Sequence, residues 1–366
     1  MAIELSVSSL GDVRPATKSS RSAEQADAPR VVYYHRKPYG KLFSLERVFQ
    51  AVRKSLPSEV HADVWACKFE SRGLARRLLN LVEAPFHQGD INHIAGDVHY
   101  LALGLAKRKT ILTITDCVGL RFLKGLKYFS TLWWWYRLPV RRVAAIAAIS
   151  EFTRQEVLHY TRCRPEMVRV IHCAIPDGFT ACPRPFNVDS PTLLQVGTSE
   201  HNKNIYRVAE AIRGIPCRLD IIGRLTERQR QALERNLISY TEQWNLSDQE
   251  MLQRYRDCDM VVFASTYEGF GMPIIEANAT GRPVVTSNTC SMPEVAGRAA
   301  CLVDPFDCSS IREGVLRVIN YSSYRDHLIA QGFENVKRFR ADAIAAQYSA
   351  LYREVMSGMN GIHPAS

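Results

Sequence analysis

The sequence predicts an α/β protein made of two successive domains, each built on a doubly wound parallel sheet. Short apolar runs that suit buried strands alternate with helical patterns from residue 31 to about residue 185. Residues 184–191 interrupt the pattern with residues that favour turns, Pro185, Ser190 and Pro191, and the pattern begins again at Thr192. The length of 366 residues also suits two domains.

In the first half, we expect strands at residues 31–34, 91–94, 110–115 and 143–149. Helices are expected at 45–56, 100–107 and 151–160, the last with Ser150 as its N-cap. Gly40 lies in the loop after the first strand, and Asp116 directly follows the third. In doubly wound sheets ligands bind beyond the carboxyl ends of the strands, which makes such loops candidate binding loops.

The predicted domains are residues 31–185 and 186–340, after a flexible tail of residues 1–30. Residues 341–366 are expected to join the first domain as a C-terminal helix. Within this segment Ile344, Tyr348, Leu351 and Val355 recur at helical spacing. That spacing predicts an apolar face that needs a partner.

Charge and cysteine usage restrict the environment and the partners. The formal net charge is +10, and residues 31–185 hold 24 Lys and Arg against 12 Asp and Glu. Such asymmetry indicates an anionic partner for the first domain, either a membrane surface or a nucleic acid. No apolar run reaches the roughly 18 residues of a membrane span, and ten scattered cysteines are typical of reduced thiols. We expect a cytoplasmic protein.

Residues 118–142 combine aromatic and basic side chains. Phe122, Leu126, Phe129, Trp133 and Tyr136 recur at steps of four and three. Around them lie further tryptophans and cations: Trp134, Trp135, Arg121, Lys124, Lys127, Arg137, Arg141 and Arg142. This pattern favours a helix at the interface of an anionic membrane. The alternative is a core helix with a solvated basic face.

The segment from Thr266 to Gly281 predicts an anion-binding loop and helix. Gly269 and Gly271 allow close approach of the backbone, and Pro273 suits the first turn of a helix that Gly281 ends. The amides of residues 271–275 would then point towards a ligand.

Two carboxylates in this segment narrow the choice of ligand. Glu268 precedes the loop and Glu276 lies one turn inside the helix. Both would repel a lone phosphate, but they could accept hydrogen bonds from the sugar hydroxyls of a sugar nucleotide whose diphosphate faces the amides. The alternative is an ordinary helix with acidic residues near its positive end.

Residues 193–305 resemble the donor domain of retaining GT-B glycosyltransferases of glycosyltransferase family 4. The resemblance includes Val196-Gly-Thr198, Lys203-Asn204, Ile221-Ile-Gly223, Glu250-Met-Leu252, Ala264 through Pro273, Glu276-Ala277, Gly281 through Val285, Pro293 through Gly297 and Leu302 through Pro305. Two glutamates separated by seven residues are the family's signature. Residues 92–101 and 149–153 resemble acceptor-domain motifs of bacterial polysaccharide and mannosyl-type members.

The resemblance implies two facing Rossmann-like domains, with the active site between them and the final helix crossing back. It implies that Glu276 holds the ribose, Glu268 contacts the donor sugar and Lys203 neutralises the diphosphate. The other implied site residues are Gly197, Thr198, Gly223, Phe270, Gly271, Met272 and Pro273 on the donor side, and Gly40 and Asp116 on the acceptor side. With Glu268 and Lys203, His99 is an implied catalytic residue, which could contact the donor sugar or the acceptor. The sequence departs from the family at Thr198, where arginine is frequent.

We therefore expect a retaining hexosyltransferase, with mannose as one candidate sugar, that uses a GDP- or UDP-sugar. The expected acceptor is a lipid-linked or polysaccharide hydroxyl at the inner face of the membrane. Neither a cofactor nor a metal is expected, and the sequence has no Asp-x-Asp motif. Two alternatives remain: a nucleotide-sugar epimerase, and a non-catalytic protein that binds nucleotide sugars or membrane surfaces. Nucleic acid is not an expected partner, because RNA-binding aromatic motifs and zinc spacings are missing.

Overall fold

Two six-stranded parallel sheets form the core of the protein, as predicted. The computed structural model describes residues 29–37, 44–199 and 202–360. The first sheet contains β1 Arg30–His35, β2 His61–Ala66, β3 Ile91–Ile94, β4 Thr110–Ile114, β5 Ala145–Ala148 and β6 Val168–Val170, in the order β2-β1-β3-β4-β5-β6. The second contains β7 Thr192–Val196, β8 Arg218–Ile222, β9 Ser239–Gln243, β10 Met260–Phe263, β11 Val284–Ser287 and β12 Cys301–Val303, in the order β12-β11-β10-β7-β8-β9.

Helices cover both faces of each sheet. In the first half they are α1 Ser44–Lys54, α2 Leu74–Glu83, α3 Val118–Phe122, α4 Gly125–Thr131, α5 Leu138–Arg141 and α6 Glu151–Thr161. In the second half they are α7 Ile205–Ala211, α8 Glu227–Arg235, α9 Asp248–Asp257, α10 Met272–Thr280, α11 Met292–Ala296, α12 Cys308–Asn320 and α13 Ser322–Val336. The last helix of the described residues is α14 Ala341–Asn360.

The last helix packs against the first sheet. Tyr348 of α14 contacts Phe49 of α1, with ring centroids 5.7 Å apart. The hydroxyl of Tyr352 lies 2.7 Å from the hydroxyl of Tyr33 and 2.8 Å from Nδ1 of His93. These groups are buried, so each hydrogen bond satisfies a polar atom that would otherwise be costly to bury. The apolar face predicted from spacing therefore has its partner in the first sheet.

Two predicted helices differ from the structure. Residues 100–107 form only a 3₁₀ turn, His99–Leu103, followed by another at Lys107–Lys109. Residues 118–142 form α3, α4 and α5 with a π-helical turn, Leu132–Arg137, between α4 and α5. A π turn has more residues per turn than an α-helix, so the face changes within it. Tyr136 is accordingly buried, although α-helical spacing placed it beside the exposed Trp133.

The sequence analysis predicted none of the four edge strands, β2, β6, β9 and β12, and it also missed α2. β2, for example, has the sequence His-Ala-Asp-Val-Trp-Ala, which lacks the continuous apolar run that marked the central strands. α2 was missed for another reason, because most of its leucines face outwards.

Candidate functional site

The predicted anion-binding loop contacts the first domain at the carboxyl edge of its sheet. A Cβ atom on Gly269 would lie 2.0 Å from the carbonyl oxygen of Thr115, so no side chain fits between these two backbones. The carbonyl oxygen of Gly269 accepts hydrogen bonds from the hydroxyls of Ser150 (2.7 Å) and Thr153 (3.1 Å). Ser150 also caps α6 through the Thr153 amide, as predicted. Glycine at position 269 thus permits a close approach between the backbones of the two domains.

A largely buried ion pair between Lys203 and Glu268 lies beside this loop. Lys203 Nζ is 2.7 Å from Glu268 Oε1, and each side chain is less than one-fifth exposed. The ammonium also lies 4.5 Å from the centroid of the Phe263 ring, within range of a cation–π contact. Asn202 Nδ2 donates to the Tyr267 carbonyl oxygen at 3.0 Å, which fixes the backbone next to Glu268. The two charged groups that the sequence singled out are therefore in direct contact.

Gly197 and Gly223 directly follow the neighbouring strands β7 and β8, and the missing Cβ at each glycine leaves space for a neighbouring side chain. Both have positive φ, +88° and +137°. A Cβ on Gly197 would lie 2.7 Å from Lys203 Cε, and one on Gly223 would lie 2.6 Å from Thr198 Cγ2. Thr198 donates its hydroxyl to the carbonyl oxygen of Arg224 at 2.7 Å. Thr198 therefore holds the two loops together, and Gly197 leaves space for the lysine.

Glu276 lies on α10 and hydrogen-bonds to a buried tyrosine. The Tyr255 hydroxyl donates to Glu276 Oε2 at 2.5 Å. Burial raises the pKa of Glu276, and the tyrosine hydrogen bond and the charges of Arg47 and Lys203 offset this only in part. Arg47 belongs to α1 of the first domain and also pairs with Asp248 at the start of α9. A cation from the opposite domain thus acts on the predicted ribose-binding carboxylate.

The N-terminus of α10 faces the same region. Gly271 is the N-cap residue, with φ +107°, and Pro273 is in the first turn of the helix. No side chain caps this end by a hydrogen bond. Ser291 Oγ donates to the carbonyl oxygens of Glu268 and Phe270, both at 2.8 Å, and so fixes the preceding loop. Met272 is half-buried at the helix start.

Two predicted site residues have their side chains elsewhere. The Phe270 ring is buried against Phe339 and His172, with centroids 5.6 and 6.0 Å apart, so only its backbone remains near the loop. His99 is buried in the first domain and donates from Nδ1 to the Trp135 carbonyl oxygen at 2.9 Å. Burial lowers the pKa of His99 despite the nearby Asp97, which favours the neutral ring. Gly40 lies outside the described residues.

Asp116 lies at the domain contact, as its position after β4 suggested. Its Cβ is 2.9 Å from where a Cβ on Gly269 would lie, and its Oδ1 accepts from the Val118 amide at 3.0 Å. Burial is the main reason that the pKa of Asp116 rises to about 6, although the Val118 amide lowers it. The carboxylates of Glu268 and Glu156 raise it further.

A second interdomain contact was not identified from the sequence. Glu294 of α11 accepts the Glu151 amide, the first of α6, at 2.9 Å through both oxygens. Its Oε1 also lies 2.8 Å from His172 Nε2. Burial alone would raise the pKa of Glu294, but these hydrogen bonds lower it below the ordinary value. Residues 149–153 and 293–297 belong to motifs that the sequence analysis identified, but no pattern in the sequence indicates that these two motifs are in contact.

The basic aromatic segment is exposed on one side and packed on the other. Leu126, Phe129 and Trp134 are 85%, 58% and 61% exposed. Trp135 is half-buried and donates from Nε1 to Asp97 at 3.1 Å, so it packs into the domain, unlike the exposed Trp133 and Trp134. Five of the six predicted cations of this segment are exposed, Arg121, Lys124, Lys127, Arg141 and Arg142, whereas Arg137 is half-buried and donates from Nε to the Tyr160 carbonyl oxygen at 3.0 Å.

Helix α2 presents another exposed apolar face. Leu74, Leu78 and Val82, at spacing of four, are 75%, 49% and 66% exposed. Arg77 of the same helix lies over the Trp135 ring, 5.0 Å from its centroid. This spacing is visible in the sequence, but such a pattern normally indicates a helix face that is buried in the protein. The exposure of this face therefore could not be predicted from the spacing.

Within residues 29–37, 44–199 and 202–360, no helix has the length and hydropathy required to cross a membrane. The same residues contain no group of three or more His, Cys, Asp and Glu side chains arranged to hold a metal ion. All ten cysteines are free.

Comparison with known proteins places this geometry in context. Residues 183–335 match the family model described as glycosyl transferases group 1. The O-antigen chain mannosyltransferase B of Escherichia coli is 30% identical over 176 residues, which are 44% of this chain and 45% of the relative. The MMP alpha-(1->4)-mannosyltransferase of Mycolicibacterium hassiacum is 24% identical over 62% of this chain and 61% of its own length. The chain thus spans less than two thirds of the curated relatives named here.

Solved structures share the fold over nearly the whole chain. Sucrose-phosphate synthase from Thermosynechococcus elongatus has a TM-score of 0.73 at 15% identity, covering 90% of this chain and 100% of its own. WaaG, a glycosyltransferase involved in lipopolysaccharide biosynthesis, has a TM-score of 0.66 at 14% identity, covering 88% and 99%. The chain therefore has the GT-B fold, and its residues 183–335 are similar to glycosyl transferases group 1, with mannosyltransferases among the relatives.

Proposed function

We propose that this protein transfers a hexose from a nucleoside diphosphate sugar to a hydroxyl of a lipid-linked or polysaccharide acceptor. The observation that carries the proposal is the contact between Lys203 and Glu268 beside the N-terminus of α10. A cation and free helix amides together suit a diphosphate, and a carboxylate next to them suits sugar hydroxyls. Mannose is a candidate sugar because several relatives are mannosyltransferases.

Each group has a proposed part in the reaction. Lys203 and the first-turn amides of α10 stabilise the diphosphate as the glycosidic bond breaks and negative charge develops. Glu268 accepts hydrogen bonds from the sugar, and it shares Lys203 with the bound diphosphate. Glu276, held by Tyr255, accepts from the ribose hydroxyls. Since these residues supply the positive charge, the proposed reaction requires no metal.

The proposed stereochemical course is retention. The departing phosphate oxygen takes the proton of the acceptor hydroxyl on the same face of the sugar, so neither glutamate attacks the anomeric carbon. Holding donor and acceptor together in the cleft lowers the entropic part of the barrier. Asp116 and the loop around Gly269 lie at the first-domain side of this cleft.

We also propose that the reaction occurs at an anionic membrane surface. Leu126, Phe129, Trp133 and Trp134 are exposed among lysines and arginines, an arrangement that suits the interfacial region of a bilayer. Flotation with vesicles should decline when Trp133 and Trp134 are both changed to alanine. Unchanged flotation would assign this segment to the solvated surface only.

The transfer proposal is tested by incubating the protein with GDP-mannose or UDP-glucose and a bacterial lipid extract. We expect labelled sugar in the lipid or polysaccharide fraction, with the anomeric configuration of the donor. Interconversion of the nucleotide sugar without an acceptor would instead indicate an epimerase. Nucleotide binding without any turnover would indicate a non-catalytic binding protein.

A further inference from the structure

A large basic groove lies on the first domain, at the sheet edge opposite the cleft. Its volume is about 1590 Å³, and its walls include residues next to the amino ends of β4, β5 and β6 and residues near the end of α14. The carboxyl ends of these parallel strands point towards the cleft. The groove is therefore separate from the proposed donor site.

The groove has more positive than negative side chains. Seven lysines and arginines line it, against two glutamates. Arg169 pairs with one of these, Glu354, at 2.6 Å. Among the residues that the structure describes, the six other lining cations have no carboxylate within ion-pair distance: Lys107, Arg108, Arg137, Arg141, Arg162 and Arg164. Unmatched cations around one concave surface favour an anionic ligand.

One residue that lines the groove, Arg162, has an unusual backbone conformation. Arg162 ends α6 in the left-handed conformation, with φ +55° and ψ +34°. Glycine or asparagine is usual at such a helix end. Here an arginine has that conformation, and it lines the groove.

Trp133 joins the groove to the exposed apolar face. Its ring lines the groove and contacts two guanidinium groups, with Arg137 Cζ 5.4 Å and Arg141 Cζ 5.3 Å from the centroid. Phe129 and Leu126, about one and two turns earlier in the segment, are also exposed. Cations and apolar side chains thus meet along one edge, which is the arrangement an amphiphile requires.

The course of the segment connects both ends of the sheet. It leaves β4 at its carboxyl end, where Arg121 lies 5.0 Å from the centroid of the Tyr267 ring in the cleft. It returns to β5 at its amino end, beside the groove. A flat surface that contacts this segment would therefore extend from the cleft to the groove.

We propose that the groove binds the phosphate of an anionic phospholipid headgroup while Leu126, Phe129 and Trp133 contact its acyl region. A soluble polyanion would use only the cations and would leave the apolar side chains exposed. This inference extends the membrane part of the proposed function. Bound in this way, the protein would keep the cleft next to the bilayer, within reach of a lipid-linked acceptor.

The test is flotation of the full chain with phosphatidylcholine vesicles that contain or lack about 30% phosphatidylglycerol. The groove variant combines Lys107→Gln, Arg108→Gln and Arg164→Gln. Its matched control combines Arg218→Gln, Arg228→Gln and Arg298→Gln, three exposed arginines of the second domain with the same loss of charge. We expect at least about a tenfold loss of flotation on anionic vesicles for the groove variant and less than about twofold for the control.

Two further measurements separate the outcomes. Equal losses for both variants would show that only total charge matters and would overturn the proposal, as would undiminished flotation of the groove variant. Glycerol phosphate at matched ionic strength should raise the melting temperature of the protein only slightly, whereas anionic vesicles should carry the protein in flotation. Strong stabilisation by glycerol phosphate without flotation would instead indicate a soluble ligand and contradict the lipid assignment. Stabilisation by nucleotides should be the same in the groove variant and the wild type, which distinguishes failure of this inference from failure of the proposed transferase activity.

Discussion

The cleft and the outer surface of the first domain use charge in opposite ways. In the cleft, charged groups are paired or hydrogen-bonded: Lys203 with Glu268, Glu276 with Tyr255, and Glu294 with His172. On the outer surface, cations such as Lys124 and Arg141 are exposed beside bare apolar side chains. Groups fixed before binding suit a small ligand of defined shape. Unmatched cations suit an extended anionic surface.

The largest expected effect comes from the close backbone contact between Gly269 and Thr115. Gly269→Ala would place a methyl group 2.0 Å from the Thr115 carbonyl oxygen, so the two domains could not approach as they do here. We expect transfer to fall by at least about 100-fold, since misplacement of about 1 Å can cost that much. Gly119→Ala, where no atom lies within 4 Å of the new Cβ, is the control and should retain activity. Equal activity of both variants would show that the observed domain contact is not needed.

Glu268→Gln should separate binding from transfer. The amide removes a charge next to the sugar but leaves Lys203 available to the diphosphate, so nucleotide affinity should change by less than about threefold while transfer falls about 100-fold. Glu334→Gln removes a glutamate from a comparable but exposed lysine pair, with Lys337, and should change neither quantity. Equal loss of nucleotide binding and transfer in Glu268→Gln would refute the assigned role.

Adjacent tryptophans should respond differently in stability. Trp135→Ala removes a half-buried ring and a hydrogen bond to Asp97, and we expect the free energy of unfolding to fall by about 2–3 kcal/mol. Trp134→Ala removes a largely exposed ring and should cost less than about 0.5 kcal/mol. Urea unfolding of both variants measures this difference. Similar costs would mean that Trp134 also packs against the domain.

A smaller, pH-dependent effect is expected at Asp116. Its folded-state pKa of about 6 exceeds the ordinary value, so its ionisation opposes folding. Its favourable contribution is complete below pH of about 4 and is lost as the pH rises through about 6. Asp116→Asn should therefore stabilise the protein at pH 8 by roughly 1–2 kcal/mol relative to its effect at pH 4. A pH-independent difference in thermal melts would contradict the raised pKa.

Much of the fold and of the donor side could be predicted because the signals are local. Apolar runs identified the central strands, and Gly271, Pro273 and Gly281 identified the bounds of α10. Lys203 and Glu268 were singled out separately, 65 positions apart, and the structure brings them together.

The other features depend on tertiary contacts that no local pattern contains. The His172–Glu294 pair joins residues 122 positions apart. The π turn reversed the expected environment of Tyr136, because its extra residue alters the helical period. The basic groove combines residues next to three strands, residues of the π turn and α5, and residues of the last helix, so neither its shape nor its cations could be recognised as one site beforehand.

The most direct test of the account is a thermal-shift comparison with UDP, GDP, ADP and their sugars. A ligand that binds only the folded protein stabilises it by about 2.7 kcal/mol at 100 times its dissociation constant, so one of these nucleotides should raise the melting temperature by several degrees. Lys203→Met should lose most of that shift, whereas Lys337→Met, in an exposed lysine–glutamate pair, should retain it. If no nucleotide raises the melting temperature of the wild type, or if both variants respond alike, the proposed donor site is wrong.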